Sequence, residues 1–333
     1  MLLRSNEDFT RHRARRAPVR GARTMVKAPI GGLLYSLLHL GGFPNDLAFY
    51  SRHCGSGRIL EMGCGDGRLG VHLCLGESSL TVLQQQQQEQ SDGSVASPKA
   101  TVAPKPLLEY VGVELCEPLA LKARERLAAA PNAKVVVGDF LEALTTADAG
   151  AFDAVLVSAN TLFATPRHAA LLEQCATVLS PGGVLLLDVY NSLPWHPEEG
   201  WEEIGGNGEG EGGDERQEEG EEEEEEGAND EGRSLLVRVQ DEDGRDWSVY
   251  ETDPEVDADE QRIVCSYEFK EAGVEGGTFT EELVHHYLLP EQLVRMLDTH
   301  RFAIDEIFGD FDEEAFNPEE SEHLVVIARL RES

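Results

Sequence analysis

The stretch ILEMGCGDGRLG, residues 59–70, decides how the chain is read, because its glycines fit two spacings at once. Gly65-x-Gly67-x-x-Gly70 is the spacing of a turn that sets a dinucleotide diphosphate on a helix N-terminus. Gly63-x-Gly65-x-Gly67, with Glu61 two residues ahead, places a carboxylate beside the same turn. In either register an apolar strand, 58–62, runs into a Gly-rich turn and then a helix over 69–75.

Working outward, strands and helices alternate. Strands are predicted at 110–115, 134–140, 152–160 and 183–190, with helices at 118–130 and 168–179. Ser180-Pro181-Gly182-Gly183 closes the second of these helices. The strands are near-continuous Val/Leu runs, as a parallel sheet covered on both faces requires. The pattern predicts a doubly wound α/β fold. Beyond residue 233 it changes. Segments 235–240 and 247–252 flank Asp243-Gly244, a hairpin signal, and 261–270 and 278–287 alternate with period two. They predict a small antiparallel lid, 234–288, inserted after the fifth strand. A helix at 290–299 and strands at 302–311 and 323–330 return to the main sheet, making it seven-stranded and mostly parallel.

Of 333 residues, 41% are hydrophobic, enough for a substantial core. The formal charge is −35, about half of it within 198–232, where Glu fills 221–226. This run and a Gln-rich insert over about 77–105 read as disordered surface loops. They divide the core into 25–190 and 289–333. The acidic run is a candidate contact for a basic protein; the overall charge opposes nucleic-acid binding, because phosphates are repelled. Residues 1–24 are basic and aperiodic, either a disordered leader or an organellar transit peptide. The expected location is the cytoplasm, or a mitochondrion or chloroplast if the leader is a transit peptide. The six cysteines form no CxxC pair, so neither a zinc site nor a disulfide framework is expected. No apolar run is long enough to cross a bilayer.

In an open α/β sheet, ligands bind beyond the carboxyl ends of the strands. Three successive ends carry acids here: Glu61, Glu114 and Asp139. A nucleoside accounts for them. Glu114 can accept both hydrogen bonds of a ribose diol, and Asp139 those of an exocyclic adenine amine, with Phe140 near the ring face. Gly63, Gly65 and Gly67 let the backbone approach the ligand. A nicotinamide dinucleotide would also use Glu114. The 47 positions from Gly67 to Glu114 exceed the usual ~20, but excising the Gln-rich insert restores roughly that distance. Spacing therefore does not decide, and Glu61 does. A carboxylate beside a diphosphate is unfavourable, whereas S-adenosylmethionine (SAM) has no phosphate and carries ammonium and sulfonium charges.

At these residues the chain resembles the class I SAM-dependent methyltransferases. ILEMGCGDGR is similar to their first motif, and VGVELCEPLALKARERL to the second-strand motif whose terminal acid holds the ribose. VVVGDF resembles the adenine-binding segment, LSPGGVLLLDVYN the turn and fifth strand, and FGDFDEEAFNPEESEHLVVIARL the closing hairpin of bacterial-type small-molecule enzymes. The likeness covers about 35–190 and 235–330. Cys116 departs from it, standing where a small polar residue such as Ser is common, as do the two inserts. The resemblance implies a Rossmann-like methyltransferase with SAM as cofactor.

Methyl transfer from a sulfonium is an in-line displacement, so the protein's task is alignment and no metal is required. Tyr35 stands where related enzymes put an aromatic near the cofactor. Asn160, ending the fourth strand, and Tyr190 and Asn191, following the fifth, are substrate-side candidates. His285 and Tyr287 on the last lid strand share a face, and a His can take the proton that an amine acceptor must lose. Adjacent His285 and His286 point to opposite faces, so they would not share a metal. The expected activity is methylation of a small molecule, an amine or a carboxylate. The alternatives are a protein methyltransferase and a non-catalytic SAM-binding regulator; oligomeric state is not fixed by the sequence.

Overall fold

The computed structural model describes residues 43, 45–76, 109–196, 233–241, 244–274 and 277–332. Tyr35, the basic leader, the Gln-rich insert and the acidic run lie outside the described residues. The described chain runs α1 (Asp46–His53), β1 (Arg58–Met62), α2 (Arg68–Leu75), β2 (Glu109–Glu114), α3 (Glu117–Arg126), β3 (Ala133–Val137), α4 (Phe140–Ala143), β4 (Phe152–Val157), α5 (His168–Val178) and β5 (Leu179–Tyr190). It continues through β6 (Arg233–Gln240), β7 (Asp246–Thr252), β8 (Glu255–Asp257), β9 (Arg262–Glu271), β10 (Thr278–His286), α6 (Pro290–Thr299), β11 (Phe302–Phe308) and β12 (His323–Leu330).

A seven-stranded sheet has the order β11-β12-β5-β4-β1-β2-β3. The pairs β1/β2, β1/β4, β2/β3 and β4/β5 are parallel, and β12 lies antiparallel between β5 and β11. Strand order reverses beside β1, which makes the carboxyl ends of β1 and β4 the natural ligand crevice. Apolar side chains fill both faces. Leu60, Met62, Leu185 and Leu187 pack on one side with α5 and α6 residues, and Ile59, Leu156 and Leu186 on the other with Phe49 and Tyr50 of α1. This two-sided burial is why the strands read as continuous apolar runs.

Between β5 and α6 lies a second sheet of order β10-β9-β7-β6, with β8 on β9, in which every pair is antiparallel. The hairpin between β6 and β7 closes through the Asp241 N–H to the Arg245 carbonyl (2.9 Å) and holds Gly244 at φ 79°. A side-chain cluster of Trp247, Val249, Tyr267 and Phe269 gives this sheet its own core. Strand β8 escaped the sequence reading because three residues are too few to show a period. Among the described residues no helix is long and apolar enough to cross a membrane.

Several boundaries are corrected: the strand expected over 152–160 ends at Val157, that over 302–311 ends at Phe308, and β5 begins at Leu179, so Ser180–Gly183 lie within it rather than in a turn. The helix expected over 118–130 ends at Arg126, and 127–130 form a tight turn closed by Ala130 N–H to the Leu127 carbonyl (2.9 Å). Pro131 follows, and the residue before a proline avoids the helical region. The strand expected over 134–140 ends at Val137. Gly138 takes φ 154°, and Asp139 opens α4 by accepting the Leu141 N–H (2.9 Å).

Gly70 shows how tightly the first turn is built. It sits within α2, and a Cβ there would lie 2.5 Å from the Tyr110 ring. Overpacking a well-filled site typically costs about 1–3 kcal/mol. Gly70→Ala is therefore expected to lower stability by about that amount in a denaturant titration, and an unchanged midpoint would mean that the ring has room to move.

Candidate functional site

The site is assembled at the carboxyl ends of β1, β2 and β4. The turn after β1 uses left-handed backbone at Gly63, Gly65 and Gly67, with φ of 73°, 54° and 83°. Only glycine takes these values freely. Gly63 also has no room for a side chain, since a Cβ would lie 2.7 Å from Thr161 Oγ1 in the turn after β4. At Gly67 a Cβ would meet Ala123 of α3 at 3.0 Å, so this glycine serves the packing of α2 on α3. Glycines of both spacings thus have packing roles, which do not distinguish the ligand. Gly63 and Gly67 let the turn approach its neighbours, and Gly70 admits Tyr110.

Tyr110 matters because its hydroxyl donates to Glu61, which also accepts from Ser158 Oγ (3.1 Å). Glu61 is buried, and burial pushes its carboxyl up to about 7, against the lowering effect of these two donors. Glu114, at the end of β2, accepts the Gly65 N–H (2.9 Å) and the Cys116 N–H (2.8 Å). One carboxylate thereby ties the Gly turn to the turn after β2. Burial raises its carboxyl above the ordinary range, and the backbone donors pull it back. Beside it, Leu115 exposes 57% of its surface, an apolar side chain presented at the site's edge.

Asp139 does not end a strand as expected. One of its oxygens caps α4, and the other holds the exposed Arg167 at the start of α5. Phe140 follows as the first residue of α4, half-buried against the core. Glu61 and Glu114 therefore flank the Gly turn, while Asp139 lies beyond β3 with both oxygens engaged.

The substrate-side candidates separate. Asn160 is buried and left-handed (φ 61°), and its side-chain carbonyl accepts the Tyr190 N–H (2.7 Å), so its oxygen ties the β4 turn to β5. The Asn191 amide donates to the Pro318 and Ser321 carbonyls at 2.9 and 3.0 Å. His285 stacks on Tyr190, ring centroids 5.6 Å apart. Tyr287 is not on the last strand, which ends at His286; it is buried one residue beyond, with its hydroxyl 3.0 Å from His196 Nδ1. Tyr35 lies outside the described residues.

The sequence reading missed a second layer. Asp46 and Tyr50, one helical turn apart on α1, face the turn from the opposite side. Asp46 pairs with both Nη atoms of Arg68, at the start of α2, and the Tyr50 hydroxyl donates to Asp188 of β5. Asp188 could have been noticed, since an acid inside the apolar run LLLDVY must have a partner. The i, i+4 pair on α1 gave no signal without its neighbours.

Glu61 makes a pH test possible. Its carboxyl is raised in the folded protein, so folding favours the protonated form. Its contribution to stability is present at low pH and is lost as pH rises from its ordinary range of about 4.5 through about 7. Glu61→Gln has no such charge to bury. The melting temperature of this variant, taken relative to the parent, is expected to rise from about pH 5 to about pH 7 and to level off above that. Parallel pH profiles would mean that Glu61 stays ionised throughout.

Residues 92–183 match a family model described as a methyltransferase domain, from the segment before β2 into β5. Among curated proteins the chain has no significant match. Among solved structures it is similar to a SAM-dependent methyltransferase from Clostridium acetobutylicum, with TM-score 0.58 and 11% identity over 90% of this chain and 97% of that one. It is also similar to the CcbJ methyltransferase from Streptomyces caelestis (TM-score 0.54, 20% identity, 87% and 92% covered). A third is SAM-bound CalS10 from Micromonospora echinaspora, an amino pentose methyltransferase of calicheamicin biosynthesis (0.51, 15%, 93% and 100%). At these identities the structures speak for the fold, and the family match speaks for the domain. The chain thus has the fold of these methyltransferase structures, and residues 92–183 match a methyltransferase domain.

Proposed function

We propose that the protein transfers the SAM methyl group to the nitrogen of a small amine. The observation that carries this reading is the contact between the second sheet and the end of β5, where His285 stacks on Tyr190 beside the turn that holds Asn160. Such a sheet acts as a lid, which excludes water and orients the nucleophile. CalS10, whose substrate is an amino sugar by its description, adds weight to an amine acceptor.

SAM supplies an already activated methyl group, and the chain's own residues bind and align. Glu114 takes the ribose hydroxyls with the lone pairs its backbone donors leave free. The Gly63, Gly65 and Gly67 backbone lies along the amino-acid part, and Glu61 sets a negative potential there. Asp139 and Phe140 border the adenine, with Leu115 across from them. A protonated amine cannot attack, so its proton must first leave. The imidazole of His285 takes it, at a position held by the Tyr190 ring. Tyr287 and His196 brace the strand end from below.

Methyl transfer from labelled SAM to a metabolite extract, with a protein extract in parallel, is the direct test. Label is expected in a small, basic, extractable product. Label confined to protein would favour a protein substrate recruited by the acidic run, and tight SAM binding without any transfer would favour a regulator. Within the cofactor site, Glu114→Ala is expected to weaken SAM by about 1.5–3 kcal/mol in calorimetry, the range for a hydrogen bond to a charged group. An unchanged affinity would move the ribose elsewhere. On the lid, His285→Ala combined with Tyr287→Phe should leave SAM affinity nearly intact. It should slow transfer by an order of magnitude or more, since misplacing a reactant can cost ~10²-fold. Lost SAM affinity with unchanged turnover at saturating cofactor would assign these side chains to the cofactor.

A further inference from the structure

Strand β10 stands at the edge of the second sheet, with β9 as its neighbour. Carbonyls along an edge strand point alternately toward the neighbour and away from it. The Tyr287 N–H reaches the Gln261 carbonyl (2.8 Å), so the His286 carbonyl, one residue earlier, points away. A carbonyl at such an edge needs a donor from elsewhere. His168 Nε2 supplies it at 2.7 Å, from the first position of α5 and across 118 residues of chain. A carbonyl only accepts, so Nε2 carries the proton. Burial favours the neutral ring. A histidine has little use at the start of a helix, where the dipole disfavours positive charge. The residue at 168 therefore answers to the second sheet and not to its own helix.

A second path joins the same two places. The His168 ring meets Phe163 edge-on, with centroids 6.4 Å apart, and Phe163 meets Tyr190 in the same way at 5.0 Å. Tyr190 in turn carries the stacked His285 ring. These separations are those of favourable ring pairs, and all four rings are buried. Phe163 lies in the short turn Thr161–Ala164 after β4, and Asn160 at the head of that turn accepts the Tyr190 N–H (2.7 Å). Phe163 and Tyr190 are thus tied to one another through the backbone as well. His285 is held from both ends, its backbone through the adjoining His286 carbonyl and its ring through Tyr190 and Phe163. Both holds return to His168.

We propose that His168 is a positioning residue for methyl transfer, which fixes the His285 imidazole at the acceptor by closing this circuit between core and lid. The proposal rests on the reading of His285 as the group that takes the acceptor's proton.

Histidine-ring NMR of the full chain without ligand tests it, with the His285 signal identified by its loss in His285→Gln. Stacking on Tyr190 shifts that signal away from the free-histidine position in the parent. His168→Phe keeps a ring against Phe163 and removes the N–H, whereas His168→Gln keeps an N–H donor of the same reach. The Phe variant is expected to move the His285 signal toward the free-histidine position. It should also slow methyl transfer from labelled SAM into a metabolite extract by about tenfold or more, with SAM affinity within about twofold of the parent. The Gln variant is expected to recover most of both losses. A His285 signal that does not move in His168→Phe overturns the proposal. So does a Gln variant as impaired as the Phe variant, which would leave His168 a packing role alone. If His168→Phe does not fold, His168→Asn takes its place, since its amide is one methylene too short for the carbonyl; a His285 signal equal to that of the Gln variant then overturns the proposal. A displaced His285 with full methyl transfer overturns the proton-accepting role of His285 instead, and the spectra separate that outcome from a failure of His168 to hold the ring.

Discussion

The buried Glu61 carboxylate is the constraint around which the Gly-turn end of this molecule is arranged. A carboxylate taken out of water needs donors, and they come from two directions. Tyr110 reaches it from β2 through the gap left by Gly70, and Ser158 reaches it from the turn after β4. Each donor fixes the element that carries it. The Gly turn, the second strand and the fourth are thereby locked together at their carboxyl ends. Burial still wins over the donors, leaving a carboxyl raised to about 7. A site of this kind gains from a positively charged ligand.

A second brace comes from α1. Its Asp46 and Tyr50 are one turn apart and so share a face. One engages Arg68 at the start of α2, and the other engages Asp188 on β5, two strands away. The helix thus spans the crevice and couples the Gly turn to the strand from which the second sheet departs. That sheet is fastened to the core by polar links as well as apolar packing. Ser192 donates to the Leu288 carbonyl (2.7 Å), and His168 Nε2 lies 2.7 Å from the His286 carbonyl. Burial lowers the pKa of the His168 imidazole, favouring the neutral ring. The attachments lie at the end of β10, next to His285, while the far hairpins of the sheet are remote from them. The sheet is therefore held most firmly at the end that carries His285.

Much of this was legible in the sequence because it follows from local periodicity. Strands buried on both faces must be apolar throughout, so β1, β2, β4, β5 and β12 announced themselves. The glycines after β1 and the acids Glu61 and Glu114 stand at strand ends, where spacing alone specifies their place. Asp139 was misplaced by the same reasoning. In the run VVVGDF the apolar residues before Gly138 and Phe140 after Asp139 read as one strand, which hides the acid's role as a helix cap.

What the sequence by itself determined is the alternating framework, its seven-stranded sheet and the Gly turn with its flanking acids, since each depends on neighbours in the chain. Tertiary structure alone decided which polar groups meet. Glu61 finds Tyr110 and Ser158, 49 and 97 residues away, and Asp188 finds Tyr50 across 138. It also decided that Asn160 would spend its oxygen on Tyr190 and that His285 would lie on the Tyr190 ring. The physical reason is that a buried polar group is satisfied by whatever donor the fold brings within about 3 Å, and long-range pairing leaves no periodic trace in the chain.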